Sequence, residues 1–177
     1  MDALDGDFVI QIQTKQAVDQ NGRDIQASAI SVIAMKHKNK PTVQAHLHNV
    51  LGIEVVVESD LNSNGYNKID FEYVPISQFD GGRVSVETNS SRIFSFENGV
   101  AIVVKAANDI ISFQLSMPET FYDKTKGLLG VWNDNQDDDF LRPDGTTVPV
   151  DSTEEMIFHQ FGEKCMYVGS LHMHLCL

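Results

Sequence analysis

The stretch RIFSFENGVAIVVK, Arg92–Lys105, settles the fold class. Ile93, Phe94 and Phe96 lead into Asn98-Gly99, and Ala101–Val104 lead away from it. Asn-Gly between two β-branched and aromatic runs is the strongest short-range signal of a hairpin, because both residues accept the backbone angles that a tight two-residue turn demands. The spacing predicts such a turn at Asn98-Gly99.

Working outward, the same grammar repeats. In DFVIQIQ the residues Phe8, Ile10 and Ile12 alternate with Val9, Gln11 and Gln13, the period of a half-buried strand. TVQAHLHNV sets Val43, Ala45 and Leu47 against Gln44, His46 and His48. QASAISVIAM, IEVVVE, IDFEYV, RVSVET and IISFQLS follow the same style, each bounded by Gly, Asn, Asp or Ser. Eight or nine short strands predict a mainly β protein, an antiparallel β-sandwich or open barrel. After Met117-Pro118 the character changes: ETFYDKTKGLLG is a short helix or loop, an acidic loop follows, and Ser152-Thr153-Glu154-Glu155 has the form of a capping box opening one short helix, TEEMIFHQF.

The chain has 177 residues, with 25 acids against 13 Lys/Arg and a formal charge of −12. That balance argues against nucleic acid or an anionic membrane surface as partner. No apolar run approaches the roughly 18–20 residues of a membrane-spanning helix, so the chain is not expected to insert by one. The opening MDALDGDFVI has no signal-peptide pattern, which fits either a cytosolic chain or a piece of a longer exported one. Cys165 and Cys176 are too sparse to define a disulfide framework.

The chemistry concentrates in KGLLGVWNDNQDDDFLRPDGT, Lys126–Thr146. Asn133 to Asp138 hold three Asp and two Asn, and Asp139 adds a further acid before Phe140. Such crowded carboxylates are either screened by solvent and salt or neutralised by a cation. Calcium takes 6–8 oxygen ligands, and closely spaced Asp and Asn side chains supply them. An EF-hand loop does not fit, since from Asn133 the sixth position is Asp138 instead of Gly and the twelfth is Asp144 instead of Glu. Trp132 and Phe140, on either side, are expected to anchor the loop by burying their rings against the sheet.

This stretch resembles the end of a von Willebrand factor type D domain, a family with a Gly-Leu-x-Gly turn, an Asn/Asp-rich loop and Asp-Asp-Phe before an Asp-Gly turn. Gly127, Leu128, Gly130, Asn133, Asn135, Asp138, Asp139, Phe140 and Asp144-Gly145 hold those places, with Leu129 where many secreted members have Cys. Trp132 and the later Glu-Glu-Met-Ile-Phe-His are most similar to the subgroup found with NIDO and AMOP modules in membrane mucins, sushi-domain proteins and mesh-type junction proteins. The resemblance implies a domain over residues 1–164, shortened at its start, and a divergent tail over 165–177. It implies a calcium site on Asn133, Asn135, Asp138 and Asp139, a non-catalytic role in adhesion, junction or matrix assembly, and partners among other modules of the parent or other extracellular proteins. The compartment it implies is extracellular or cell-surface, within a larger anchored or secreted protein.

Other features have plainer readings. Asn89-Ser90-Ser91 is a glycosylation sequon between strands, making Asn89 an acceptor in an exported parent. His46-x-His48 shares one strand face and His172-x-His174-x-Cys176 gathers soft donors, yet solvated histidines explain both more simply. No nucleophile–base motif, metalloprotease helix or phosphate loop occurs, so no catalytic residue is assigned. The alternative is a metal-dependent hydrolase using Asp137, Asp138 and Asp139, though neighbouring residues seldom face each other as an acid and base must.

Overall fold

The computed structural model describes residues 8–19, 21–48, 52–58, 65–71, 75–165 and 172–176. They fall into two compact units, one of residues 12–117 and one of residues 1–11 with 118–177.

The unit of residues 12–117 is the antiparallel sandwich that the alternation predicts. Its first sheet is ordered β1 (Phe8–Val18, from Ile12 onward), β2 (Asp24–His37), β3 (Val43–His48), β4 (Gly52–Glu58) and β5 (Tyr66–Ile69). Its second is ordered β10 (Ile110–Ser116), β9 (Ala101–Ala107), β8 (Ser91–Phe96), β7 (Gly82–Thr88) and β6 (Ile76–Phe79). The second sheet is a meander, each strand pairing with its sequence neighbour in an antiparallel register. One face of each strand is apolar, so the sheets bury Ile33, Met35, Val43, Ala45, Ile53 and Val55 with Val84, Phe94, Ile102, Val104 and Ile111.

The turns refine the sequence reading. Asn98-Gly99 does sit in the β8–β9 hairpin, but as a three-residue loop: Phe96 N–H donates to Val100 O at 2.9 Å, and Gly99 N–H returns to Phe96 O at 3.0 Å. Only Gly99 is left-handed, with φ 86°. Asn98 instead uses its side-chain oxygen to accept from Val100 N–H at 3.1 Å. The tight two-residue turn lies one hairpin later, where Asn108 (φ 52°) and Asp109 (φ 60°) connect β9 to β10 and Ala107 faces Ile110. Asn and Asp tolerate that conformation because their short polar side chains bond locally.

Among the described residues of this unit, Arg92 is the buried charged side chain, 6% exposed. Its guanidinium donates to carbonyl oxygens of Thr88 (2.8 Å), Ser91 (2.9 Å), Asn89 (3.3 Å) and, across to β4, Ile53 (3.5 Å). It also stands 5.1 Å over the Phe71 ring. Burial holds the Arg92 pKa below its usual range.

In the other unit, β11 (Lys126–Gly127) pairs antiparallel with β12 (His172–Cys176). Within the divergent tail, residues 172–176 are therefore a strand. The donor atoms of His172, His174 and Cys176, the pairing of Cys165 with Cys176, and the start of the chain before Phe8 lie outside the described residues. The short helix α1 (Glu154–Ile157) opens one residue later than the capping box implied. Ser152 N–H closes a turn onto Pro149 O at 3.0 Å, so Thr153 becomes the cap and its hydroxyl accepts from Met156 N–H. A π-helical turn, Phe158–Gly162, continues α1.

Gly82 tests the packing of the second sheet. A β-carbon there meets Ser95 O at 2.6 Å and the Phe79 ring at 2.9 Å. That ring is in edge contact with Phe96, centroids 5.8 Å apart. Gly82→Ala is expected to destabilise the protein by about 1–3 kcal/mol through overpacking. Gly22→Ala, which meets nothing within 4 Å but has φ 74°, is expected to cost only about 1 kcal/mol. Urea unfolding of the two variants checks the ranking.

Candidate functional site: the acidic loop

The loop begins at a turn. Gly130 N–H donates to Gly127 O at 2.9 Å, and both glycines are left-handed (φ 91° and 74°), which explains the Gly-x-x-Gly spacing. Thr125, 3% exposed, locks the turn to the loop: its hydroxyl donates to Gly130 O at 3.0 Å and accepts from Trp132 N–H at 2.6 Å. Trp132 O in turn accepts from Asp123 N–H at 2.8 Å.

Trp132 is half-buried, and its ring meets the edge of Tyr122, centroids 5.8 Å apart, in place of the expected burial against a sheet. Phe140 is also half-buried and packs against Phe161, at 5.3 Å, in a small core with Val148, Leu128 and Ile157. The loop is thus pinned at both ends by aromatics, though by local partners.

Between these ends the polar residues make successive side-chain turns. Asn133 Oδ1 accepts from Asn135 N–H at 3.0 Å, and Asn135 Oδ1 accepts from Asp137 N–H at 3.1 Å, capping the short 3-10 turn Gln136–Asp138. Asn133 Nδ2 donates to Asp138 Oδ2 at 2.8 Å and reaches Asp123 Oδ1 at 3.4 Å. Asp138 Oδ1 is buried and no donor among the described residues reaches it. Asp139 lies against Gly130, where a β-carbon would stand 2.4 Å from Oδ1, so only glycine fits beneath that carboxylate.

Of the four residues singled out in the sequence, Asn133 and Asp138 are in direct contact. Asn135 serves as a backbone cap, and Asp139 rests on the Gly127–Gly130 turn. Among the described residues no three His, Cys, Asp or Glu side chains are grouped as a metal cage. The donor set fits a hard cation in character: two carboxylates, one of them with a buried oxygen that no donor among the described residues reaches, and two amide oxygens with a lone pair each remaining after their turns. Hydrogen bonding among the described residues joins none of Asp137, Asp138 and Asp139 to another.

Sequence reasoning missed Tyr122, Asp123 and Thr125. Asp123 is left-handed (φ 60°), and Tyr122 Oη donates to Asp134 Oδ2 at 3.4 Å. Desolvation, then Asp134 and Asp123, raise the Tyr122 pKa. A lone Thr or Asp ten residues before a loop carries no pattern that marks it.

The histidine pair is placed as its alternation implies. His46 faces Glu54 across β3–β4, with Nε2 2.7 Å from Gln44 Oε1, and burial lowers its pKa against an opposing effect of Glu54. Glu54 is engaged by Lys68 at 2.6 Å, which holds its carboxyl below the usual range. Asn89 is exposed in the β7–β8 hairpin, while the sequon hydroxyl of Ser91 is buried and donates to Glu87 at 2.6 Å.

The sequence model of the von Willebrand factor type D domain matches residues 5–146. The chain belongs to this family. Rat Mucin-4 is 34% identical over 153 residues, covering 86% of the chain and 6% of that protein. Human Sushi domain-containing protein 2 is 25% identical over 154 residues, 86% of the chain and 18% of the relative. Silkworm Protein mesh is 35% identical over 66 residues, 37% of the chain and 4% of the relative. This type D domain therefore spans a small fraction of each relative it matches.

Thr125→Val keeps the shape but strips both hydrogen bonds from a buried position. It is expected to destabilise the domain by about 1–3 kcal/mol, the scale of buried groups left unpaired. Loss of Trp132 fluorescence anisotropy before global unfolding would locate the damage at the loop.

Proposed function

We propose that this type D domain is a non-catalytic extracellular module of a larger protein, with a calcium ion held by the acidic loop. The observation that carries the calcium reading is the bare, buried Oδ1 of Asp138. An ionised oxygen removed from water without a donor is costly, and a cation is the simplest remedy. Asp138 and Asp139 supply the charge, and Asn133 and Asn135 supply neutral oxygens. Bound calcium neutralises the two carboxylates and ties the loop down, so its binding free energy adds to folding stability. The small share of each relative that the chain spans supports a role as one module among several, contributing to adhesion, junction or matrix assembly through other modules or extracellular proteins. In an exported parent, exposed Asn89 is the glycan acceptor.

Calcium is expected to bind with a dissociation constant of about 10⁻⁴–10⁻³ M, the range of extracellular modules, with magnesium a poor competitor. At about a hundred times that constant the stabilisation is about 2.7 kcal/mol. Calorimetric melting with and without calcium measures it. Asp138→Ala should abolish the shift and His46→Ala should leave it intact. The absence of any response in the wild-type chain would reduce the loop to a solvated turn. Hydrolytic turnover that depends on the metal and vanishes in Asp138→Ala would replace the module reading with an enzyme.

A further inference from the structure

Three Asn-Gly pairs occur in the chain, Asn21-Gly22, Asn64-Gly65 and Asn98-Gly99. In such a pair the backbone nitrogen of Gly, deprotonated by solvent hydroxide, can attack the carbonyl carbon of the Asn side chain. The bond from that carbon to the amide nitrogen breaks, ammonia leaves, and a cyclic imide remains. Water then opens the imide at either carbonyl, giving Asp or an isoaspartyl linkage. Glycine favours the attack because no β-carbon crowds its nitrogen. Asn64 lies outside the described residues, which leaves Asn21 and Asn98 to compare.

The first obstacle is the same at both sites. Gly22 N–H donates to Asp19 O at 3.0 Å and Gly99 N–H to Phe96 O at 3.0 Å, and each nitrogen must leave that bond to react. The surroundings differ. Asn98 Oδ1 is tied to Val100 N–H at 3.1 Å, and its Nδ2 is buried, away from the water that must carry off ammonia. Phe96 and Val100 are both buried and anchor the two ends of that loop, so freeing Gly99 disturbs the core. Around Asn21 the chain is open. Residues 21–24 are all exposed, nothing lies within 4 Å of a β-carbon built on Gly22, and the flanking Val18 and Ile25 are exposed as well. Hydrogen bonds at the surface hold this turn. Asp19 Oδ1 accepts from Asn21 N–H at 2.8 Å and Arg23 N–H at 2.9 Å, Asp19 N–H donates to Arg23 O at 2.8 Å, and the exposed Gln16 side chain donates to Ile25 O and Ala27 O. Water replaces such bonds at little cost, so the β1–β2 tip opens more often than the anchored β8–β9 hairpin.

We propose that Asn21 is a deamidation site of the folded domain, and that the β8–β9 hairpin shields Asn98 until it unfolds. The product undoes the turn that forms it. An isoaspartyl linkage inserts a methylene into the backbone before Gly22, so the N–H groups of residues 21 and 23 no longer both fit Asp19 Oδ1. A new carboxylate also stands near Asp19, whose own carboxyl is held below its usual range by the Arg23 and Asn21 backbone N–H groups. Two like charges so placed repel, and the β1–β2 turn loosens as the protein ages.

Peptide-mapping mass spectrometry tests this on the chain aged in warm, mildly alkaline buffer, with a parallel sample in urea. In the folded chain, amide loss at Asn21 should outpace that at Asn98 by about tenfold or more, the effect of a modest difference in local opening. In urea the two sites should react within about threefold of each other, since both are then solvated Asn-Gly pairs. Enzymatic methylation of isoaspartyl groups should detect the rearranged product at Asn21. Gly22→Ala should slow the reaction at Asn21 by about tenfold or more, because its methyl crowds the attacking nitrogen, and should leave Asn98 unchanged. Comparable rates at the two sites in the folded chain, reaction at Asn21 only in urea, or an unslowed Gly22→Ala variant would each overturn the proposal.

Discussion

The sandwich of residues 12–117 depends on the period-two alternation of apolar and polar residues. A strand can turn only one face inward, and sliding by a single residue would expose the whole apolar set. Phe94, Ile102 and Val104 from one sheet and Ile33, Val43 and Val55 from the other hold each register by being wholly buried. Because the faces are so defined, the connections can be short, and the second sheet needs only hairpins. Its turns are then free to carry residues chosen for other reasons, such as the exposed sequon at Asn89.

The acidic loop works by a different logic. It has little apolar surface of its own, and its conformation is written in side-chain-to-backbone hydrogen bonds. Thr125 fixes its entry, Asn133 and Asn135 shape its middle, and Phe140 fixes its exit in the small core around Val148 and Phe161. The price of so polar a construction is the stranded oxygen of Asp138, and that oxygen gives the loop its affinity for positive charge in the function proposed for it.

Strands and their inward faces were readable because burial leaves a periodic trace: Val43 and Ala45 are buried and Gln44 and His46 are partly open, as alternation requires. Val9 departs from it, buried alongside Phe8 and Ile10, since a strand covered on both faces loses the polar half of its pattern. Turn geometry was less legible. Asn-Gly predicted the hairpin at residues 98–99 correctly but not its length, and the tight turn fell to Asn108-Asp109, whose signal is weaker. Of the acidic loop, the crowding of Asp and Asn was legible and the resemblance singled out Asn133 and Asp138, but their direct contact was not predicted. The supports at Tyr122, Asp123 and Thr125, and the way Arg142 reaches Gln160 eighteen residues on, depend on where the chain folds back, which no local pattern encodes.

Arg92 adds a property of another kind. Ion pairs that brace a buried guanidinium with Asp or Glu are lost when acid protonates the carboxylate. The acceptors around Arg92 are instead the carbonyl oxygens of Ile53, Thr88, Asn89 and Ser91, which carry no titratable proton, and the face of Phe71, which is equally indifferent to pH. The hydrogen bonds between β8 and β4 that Arg92 makes therefore keep their acceptors as the pH falls through the carboxylate range.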